Sequence, residues 1–323
     1  MTRIEPVIDR RRRRFRDLKS VPVLPSMVTL GNLFFGFLAM AYVADAAMIA
    51  VGQGIDHPAV IPLFERAAVL IFVAMVFDGI DGAVARLTNQ VTSFGAQLDS
   101  LADAVTFGVA PAFVTKVLVD FHAQGADSLM PAHPKLYYAA AAIYVICAAM
   151  RLARFNVEVG SPKEVDHREF SGLPSPAAAA VVCSLIAFFT TRGDEGVLSV
   201  RFLGIGDTFY DGLVLSLPFV LGLAGLLMVS RFPYPHLVNR LVRGRHSFPF
   251  FATLVVLIFI AAIEWQLALV VLSVCYLLSG MVIGLWRLAT AGRMGPPPDS
   301  ADGAADDPAD FAHAAPGSSP GLN

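Results

Sequence analysis

The chain of 323 residues is 56% hydrophobic and only 15% charged, with a mean hydropathy of +0.63. This composition excludes an ordinary soluble enzyme and points to an all-α, polytopic membrane protein. The formal net charge of −2 excludes little, because acidic and basic residues are segregated along the chain. The three cysteines, Cys147, Cys183 and Cys275, lie in apolar runs without metal-ligand spacing. They read as buried thiols, and neither a disulfide framework nor a zinc site is expected.

Residues 1–20 carry Arg3, the run Arg10 to Arg14, Arg16 and Lys19. A basic patch can bind nucleic acid or anionic lipid. Ahead of an apolar segment its commoner role is to hold the N-terminus in the cytoplasm, so no nucleic-acid partner is expected. Ala39-Met40-Ala41 mimics a signal-peptide cleavage site, but the apolar run from Met27 to Ala44 is too long for one and further spans follow. Cleavage is therefore not expected.

Apolar runs long enough to cross a bilayer recur near 26–45, 64–86, 94–118, 136–155, 173–191, 212–230, 248–263 and 266–286. About eight transmembrane helices are expected, the first six of them within 21–235. The seventh span is short and meets the eighth at a tight Glu264-Trp265 turn, so 236–291 reads as a C-terminal transmembrane hairpin. An even number of spans puts both termini on one side. With the N-terminus in the cytoplasm, every lysine and arginine except Arg66, Lys116, Lys135, Arg192 and Arg201 falls on the cytoplasmic side, the asymmetry of the positive-inside rule. Segment 292–323 carries Pro296-Pro297-Pro298 and many alanines, glycines and aspartates without apolar periodicity, and is expected to be disordered.

Polar residues within the spans locate the chemistry. Thr29 and Asn32 stand in the apolar first span, placed either to touch a ligand or to bond between helices. In the second span Asp78, Asp81, Gly82, Ala85 and Arg86 occupy i, i+3, i+4, i+7 and i+8, one stripe of a helix. Gly95, Asp99 and Asp103 follow at four-residue steps in the third, joined to the second by Leu87 to Phe94. The arrangement reads as an antiparallel helix pair with four carboxylates pointing into the space between.

Four like charges at close quarters cannot all stay ionised without a cation among them. Carboxylates are hard ligands and the stretch holds no histidine or cysteine, which favours magnesium or manganese over zinc. Small residues beside the acids let a ligand approach the backbone, and Arg86 offers a fixed fork for phosphate. Together these features indicate phosphoryl chemistry on a nucleotide-like substrate. Acids at helical spacing ordinarily form a solvated face. Here the apolar run Val69 to Phe77 leads straight into Asp78, where ionisable groups are costly unless paired or functional. Gly108 and Pro111 in the third span are expected to bend it near the site. Arg151 and Arg154, three apart at the end of the fourth span, suit a substrate anion.

The string D-x-x-D-G-x-x-A-R, eight residues, then G-x-x-x-D-x-x-x-D resembles the signature of the CDP-alcohol phosphatidyltransferase family at all eight positions, Asp78, Asp81, Gly82, Ala85, Arg86, Gly95, Asp99 and Asp103. SFGAQLDSLADAVTFGVAPA, RLARFN, SGLPSPAAA and MVSRFPYP resemble, within that family, the integral-membrane phosphatidylserine synthases of bacteria. This likeness covers residues 20–235, and Thr106 stands where a serine is expected.

The resemblance implies a six-helix core in which Asp78, Asp81, Asp99 and Asp103 hold two Mg2+ or Mn2+ ions and Asp103 serves as base. It implies Gly82, Ala85, Arg86, Gly95 and Asn32 at the nucleotide, and Arg151 and Arg154 at a lipid phosphate or the serine carboxylate. It further implies CDP-diacylglycerol and L-serine as substrates, membrane lipid around the protein, a homodimer, and an active site at the cytoplasmic face of the inner membrane. Two alternatives stand beside this. One keeps the family and changes the acceptor to glycerol 3-phosphate, inositol phosphate or choline; the few basic residues near the site favour an unphosphorylated alcohol. The other is a divalent-cation carrier, disfavoured because the acids lie near one face and the motif is not repeated.

Overall fold

The computed structural model describes residues 23–54, 57–88, 92–123, 134–159, 172–192, 204, 206–234, 259 and 262–291. Every regular element among them is helical. In chain order these are α1 (Val23–Gln53), α2 (Val60–Leu87), α3 (Ser93–Asp103), a π-helical turn (Ala104–Val109), α4 (Ala110–Ala123), α5 (Pro134–Val159), α6 (Ser175–Phe189), α7 (Asp207–Val229) and α8 (Trp265–Ala291). Contacts divide the chain into Met1–Gly284, which holds all of these but the end of α8, and Leu285–Asn323, whose described part is helical residues 285–291.

Six stretches of the described residues are long and apolar enough to cross a bilayer: Leu24–Gln53, Val60–Leu87, Ser93–Ala123, Lys135–Val157, Asp207–Val229 and Trp265–Arg287. The chain is a multi-pass, all-α membrane protein. Within hydrocarbon only helices and closed barrels satisfy their own backbone, which is why these apolar runs appear as helices. The fifth expected span is the 15-residue α6. Expected span 248–263, apart from residues 259, 262 and 263, lies outside the described residues, as do the basic segment 1–20 and the tail 292–323. The first helix runs past the expected residue 45 to Gln53, because the sequence stays apolar until Gly54. That glycine adopts φ +91 and donates its N–H to the Ala50 carbonyl at 2.9 Å, a left-handed stop.

Small residues set the helix spacing. Ala39, Val43, Ala46 and Ala50 make one buried stripe of α1, packed with α2, where Val60, Phe64, Ala67, Ala68, Ile71 and Ala74 are buried. A side chain at Gly31 would meet the Phe77 ring at 2.7 Å, and one at Gly225 would meet the Tyr144 backbone at 2.9 Å. With lipid as solvent, such close approach and the dispersion it allows hold helices together. Cys147 and Cys183 are buried, as their apolar surroundings imply, but Cys275 is exposed. It sits on an outward face of α8, where a thiol can lie against lipid as readily as against protein, so the expectation of three buried thiols is corrected.

The α6 entry is fastened to the α7 exit. Gly172 donates its N–H to the Phe232 carbonyl at 2.9 Å, and Leu173 donates to the Leu227 carbonyl at 3.0 Å. Gly172 has φ +98, and a Cβ there would stand 2.5 Å from the Met228 carbonyl oxygen. Gly172→Ala is therefore expected to cost at least about 1–3 kcal/mol and to lower the thermal unfolding midpoint in detergent. Gly212→Ala, inside α7 where a Cβ would meet nothing within 4 Å, is the control and should not lower the midpoint.

Candidate active site

Four helices converge on the acidic residues. The motif of α2 lies in its last third, so Asp78 and Asp81 stand near the end of the helix that turns into α3. Thr92 caps α3 by accepting the Gly95 N–H at 3.1 Å, which sets the start of the helix and hence the phase of Asp99 and Asp103. Carboxylate oxygens of Asp78, Asp99 and Asp103 all lie within 4.8 Å of one another. Asp81 is outside that trio, only 5% exposed, and interacts with Thr29 of α1 and with Asp99.

The π-helical turn follows directly after Asp103. Pro111 has no N–H and leaves a carbonyl of the preceding turn without its helical donor. Tyr144 of α5, fully buried, donates its hydroxyl to the Phe107 carbonyl at 2.9 Å. The irregularity expected at Gly108 and Pro111 thus takes the form of a π turn, a feature that often accompanies functional sites. It also brings Thr106 to α1, where its hydroxyl donates to the Asn32 carbonyl at 3.3 Å. A side chain at Gly36 would collide with Thr106, so the glycine permits this contact.

Asn32 is fully buried, and its Nδ2 donates to Asp103 Oδ1 at 3.2 Å. This bond joins α1 to α3, while Asn32 Oδ1 has no partner among the described residues. Gly82 and Ala85 present little side chain: a Cβ on Gly82 would meet only Arg86 Nη1, at 3.5 Å. Arg86 itself is exposed. The two arginines of α5 differ. Arg151 is half-buried, donates from Nη1 to Ser175 Oγ at 2.9 Å and interacts with Asp103, whereas Arg154 is exposed. Ser100 donates to Asn156 Oδ1 at 3.0 Å and ties α3 to the end of α5.

The donor set fits a divalent cation. Three carboxylate oxygens converge, and Asp81 Oδ2 and Asp99 Oδ1 are buried with no hydrogen-bond partner among the described residues. Buried acceptors left in that state are costly unless a further group engages them.

The sequence pattern of the family described as CDP-alcohol phosphatidyltransferase matches residues 22–223. The chain belongs to this family. A CDP-diacylglycerol–serine O-phosphatidyltransferase of Helicobacter pylori (strain J99) is 31% identical over 215 residues, covering 66% of this chain and 72% of the relative. One from Mycobacterium bovis is 31% identical over 199 residues, 61% of this chain and 60% of the relative. An archaetidylserine synthase of Methanothermobacter thermautotrophicus is 29% identical over 223 residues, 68% of this chain and 72% of the relative. As a CDP-alcohol phosphatidyltransferase, the protein breaks the diphosphate of a CDP-linked alcohol, and its acidic cluster lies wholly inside the matched region.

Ser175 and Asn156, which hold Arg151 and Ser100, were not singled out from sequence. Both lie in stretches that carry the family resemblance, SGLPSPAAA and RLARFN, but only their partners give the individual side chains a role.

Proposed function

We propose that the protein is a phosphatidylserine synthase, transferring the phosphatidyl group of CDP-diacylglycerol to the hydroxyl of L-serine. The observation that carries this reading is the convergence of Asp78, Asp99 and Asp103 within 4.8 Å, with Arg151 beside Asp103. Relatives named for serine transfer in several organisms support the acceptor.

Asp78, Asp81, Asp99 and Asp103 would hold two Mg2+ or Mn2+ ions, which supply charge stabilisation for the diphosphate and for departing CMP. The serine hydroxyl oxygen bonds to the phosphorus that carries diacylglycerol. The bond from that phosphorus to the bridging oxygen breaks, and CMP leaves with the electron pair. The serine proton passes to Asp103, which Asn32 orients by donating to its Oδ1. Thr106 fixes Asn32 in turn through its backbone carbonyl. Gly82, Ala85 and Gly95 leave room for the nucleotide, and Arg86 meets its phosphates. Arg151, next to Asp103, takes the serine carboxylate as a fork, and the exposed Arg154 takes the lipid phosphate.

The charge asymmetry of the loops supports a cytoplasmic active site with both termini in the cytoplasm of the inner membrane. The family resemblance supports a homodimer, which the mass of the detergent-solubilised protein tests.

The acceptor is tested with purified full-length protein, CDP-diacylglycerol and Mn2+ in mixed micelles, following CMP release with one alcohol at a time. Release that depends on L-serine is expected. Release only with glycerol 3-phosphate, inositol phosphate or choline would move the assignment within the family.

A further inference from the structure

Asp103 is the last residue of α3, and the π turn begins directly after it. Ala110 closes that turn by donating its N–H to the Val105 carbonyl, five residues back instead of four. Phe107 stands four residues before Pro111, so its carbonyl is the one that the proline deprives of a helical donor. The Tyr144 hydroxyl, donating at 2.9 Å, fills that place.

The same turn is gripped from its other side. Asn32 of α1 is held at two points: its carbonyl accepts from Thr106 Oγ1 at 3.3 Å, and its Nδ2 donates to Asp103 Oδ1 at 3.2 Å. Asp103 and Thr106 therefore hold one residue of α1 from either side of the point where α3 widens into the π turn. Asn32, Thr106 and Phe107 are all fully buried. Regular winding after Asp103 would rotate Thr106 relative to it, and the two grips on Asn32 would no longer agree.

Tyr144 has a fixed support. It is itself fully buried, and a Cβ at Gly225 of α7 would stand 2.9 Å from its Cα, so α7 lies directly on its backbone. A Cβ at Gly108 would stand 3.3 Å from Ala148 Cβ, so the π turn lies close on α5 one turn beyond Tyr144. The phenol reaches Phe107 from a helix that has no room to recede.

We propose that Tyr144 is a positioning residue: by holding the Phe107 carbonyl it fixes the π turn, and through Thr106 and Asn32 it sets the orientation of Asp103. The inference rests on the role of Asp103 given above. Tyr144 acts through these linked groups and not on the substrate.

The test is Tyr144→Phe in the full-length protein, which keeps the ring and removes only the hydroxyl. CMP release is measured in mixed micelles with L-serine. Separately, without substrate, the Mn2+ concentration that gives half of the full rise in thermal unfolding midpoint is determined. Turnover should fall about tenfold and the Mn2+ requirement should rise about tenfold, the lower end of what an outer partner of a metal-ligand network is worth. Tyr210→Phe is the structural comparison. Its hydroxyl is bonded to Thr191 Oγ1 at 2.9 Å, it is equally buried, and it lies in the first turn of α7. This variant should lower the unfolding midpoint as Tyr144→Phe does, with turnover and Mn2+ requirement near wild type. Thr106→Val removes the next hydroxyl in the series. The double variant should lose no more than about twofold beyond the worse single one, because linked groups are not additive.

An unchanged turnover or an unchanged Mn2+ requirement in Tyr144→Phe overturns the inference. So does the same loss in Tyr210→Phe, or a double variant whose loss is the product of the two single ones. Wild-type turnover from Asp103→Asn overturns the role of Asp103 and the inference together. Inactive Asp103→Asn beside an unaltered Tyr144→Phe overturns the inference alone.

Discussion

Asp103→Asn is expected to lower turnover by at least about 10²–10⁴-fold, the range a positioned general base contributes. The substitution preserves shape and keeps an oxygen that accepts from Asn32 Nδ2, a contact of 3.2 Å in the native protein. Folding and membrane insertion should therefore survive, and the unfolding midpoint should stay near wild type. What is lost is the capacity to accept the serine proton. Because Asp103 also belongs to the carboxylate trio, the dependence on Mn2+ separates its two roles. If Asp103 only helped hold an ion, saturating Mn2+ would restore turnover; as the base, the variant should stay inactive at every Mn2+ concentration. Wild-type turnover from the purified variant would refute the assignment.

Chelation with EDTA should reduce CMP release to background, and added Mg2+ or Mn2+ should restore it. The physical ground is the crowding of Asp78, Asp99 and Asp103, with oxygens within 4.8 Å of one another. At that separation each ionised pair repels by about 3 kcal/mol at an effective dielectric of about 20, before the unpartnered oxygens of Asp81 and Asp99 are considered. A divalent cation turns the repulsion into attraction. The same binding should raise the thermal unfolding midpoint without substrate, since an ion at about 100 times its Kd adds about 2.7 kcal/mol to the folded state. Asp99→Asn should need more than about tenfold more Mn2+ for half-maximal CMP release, given the loss of a charged ligand worth more than an ordinary hydrogen bond. Full activity in EDTA, with no Mn2+ effect on unfolding, would remove the metal from the mechanism.

The acidic motif was legible because a helix repeats on a fixed period. Once the apolar runs require helices, Asp78 and Asp81 must share a stripe and Asp99 and Asp103 another, whatever surrounds them. The family followed from the same spacing. Arg151 and Arg154 were indistinguishable at that level, being three apart on one helix. Their difference depends on Ser175, supplied by a different helix, α6. Asn32 is likewise a polar residue with two possible uses until α1 is laid beside Asp103, 71 positions away in the chain. Gly108 and Pro111 announced an irregularity in the third span. That it is a π turn, with Tyr144 supplying the missing donor, depends on where α5 packs.

Sequence alone determined the class of the protein, the course of most of its spans, the acidic stripes and the family they belong to, since hydropathy and helical period are local properties of the chain. Only the tertiary structure decided which face of each helix meets protein, and that Cys275 looks outward while Tyr276 beside it packs on Tyr234. The reason lies in the solvent. Lipid tails are as apolar as leucine, so the buried and lipid-facing sides of a membrane helix carry nearly the same composition. Contacts made by small residues and scattered hydroxyls, not a polar stripe, choose between them.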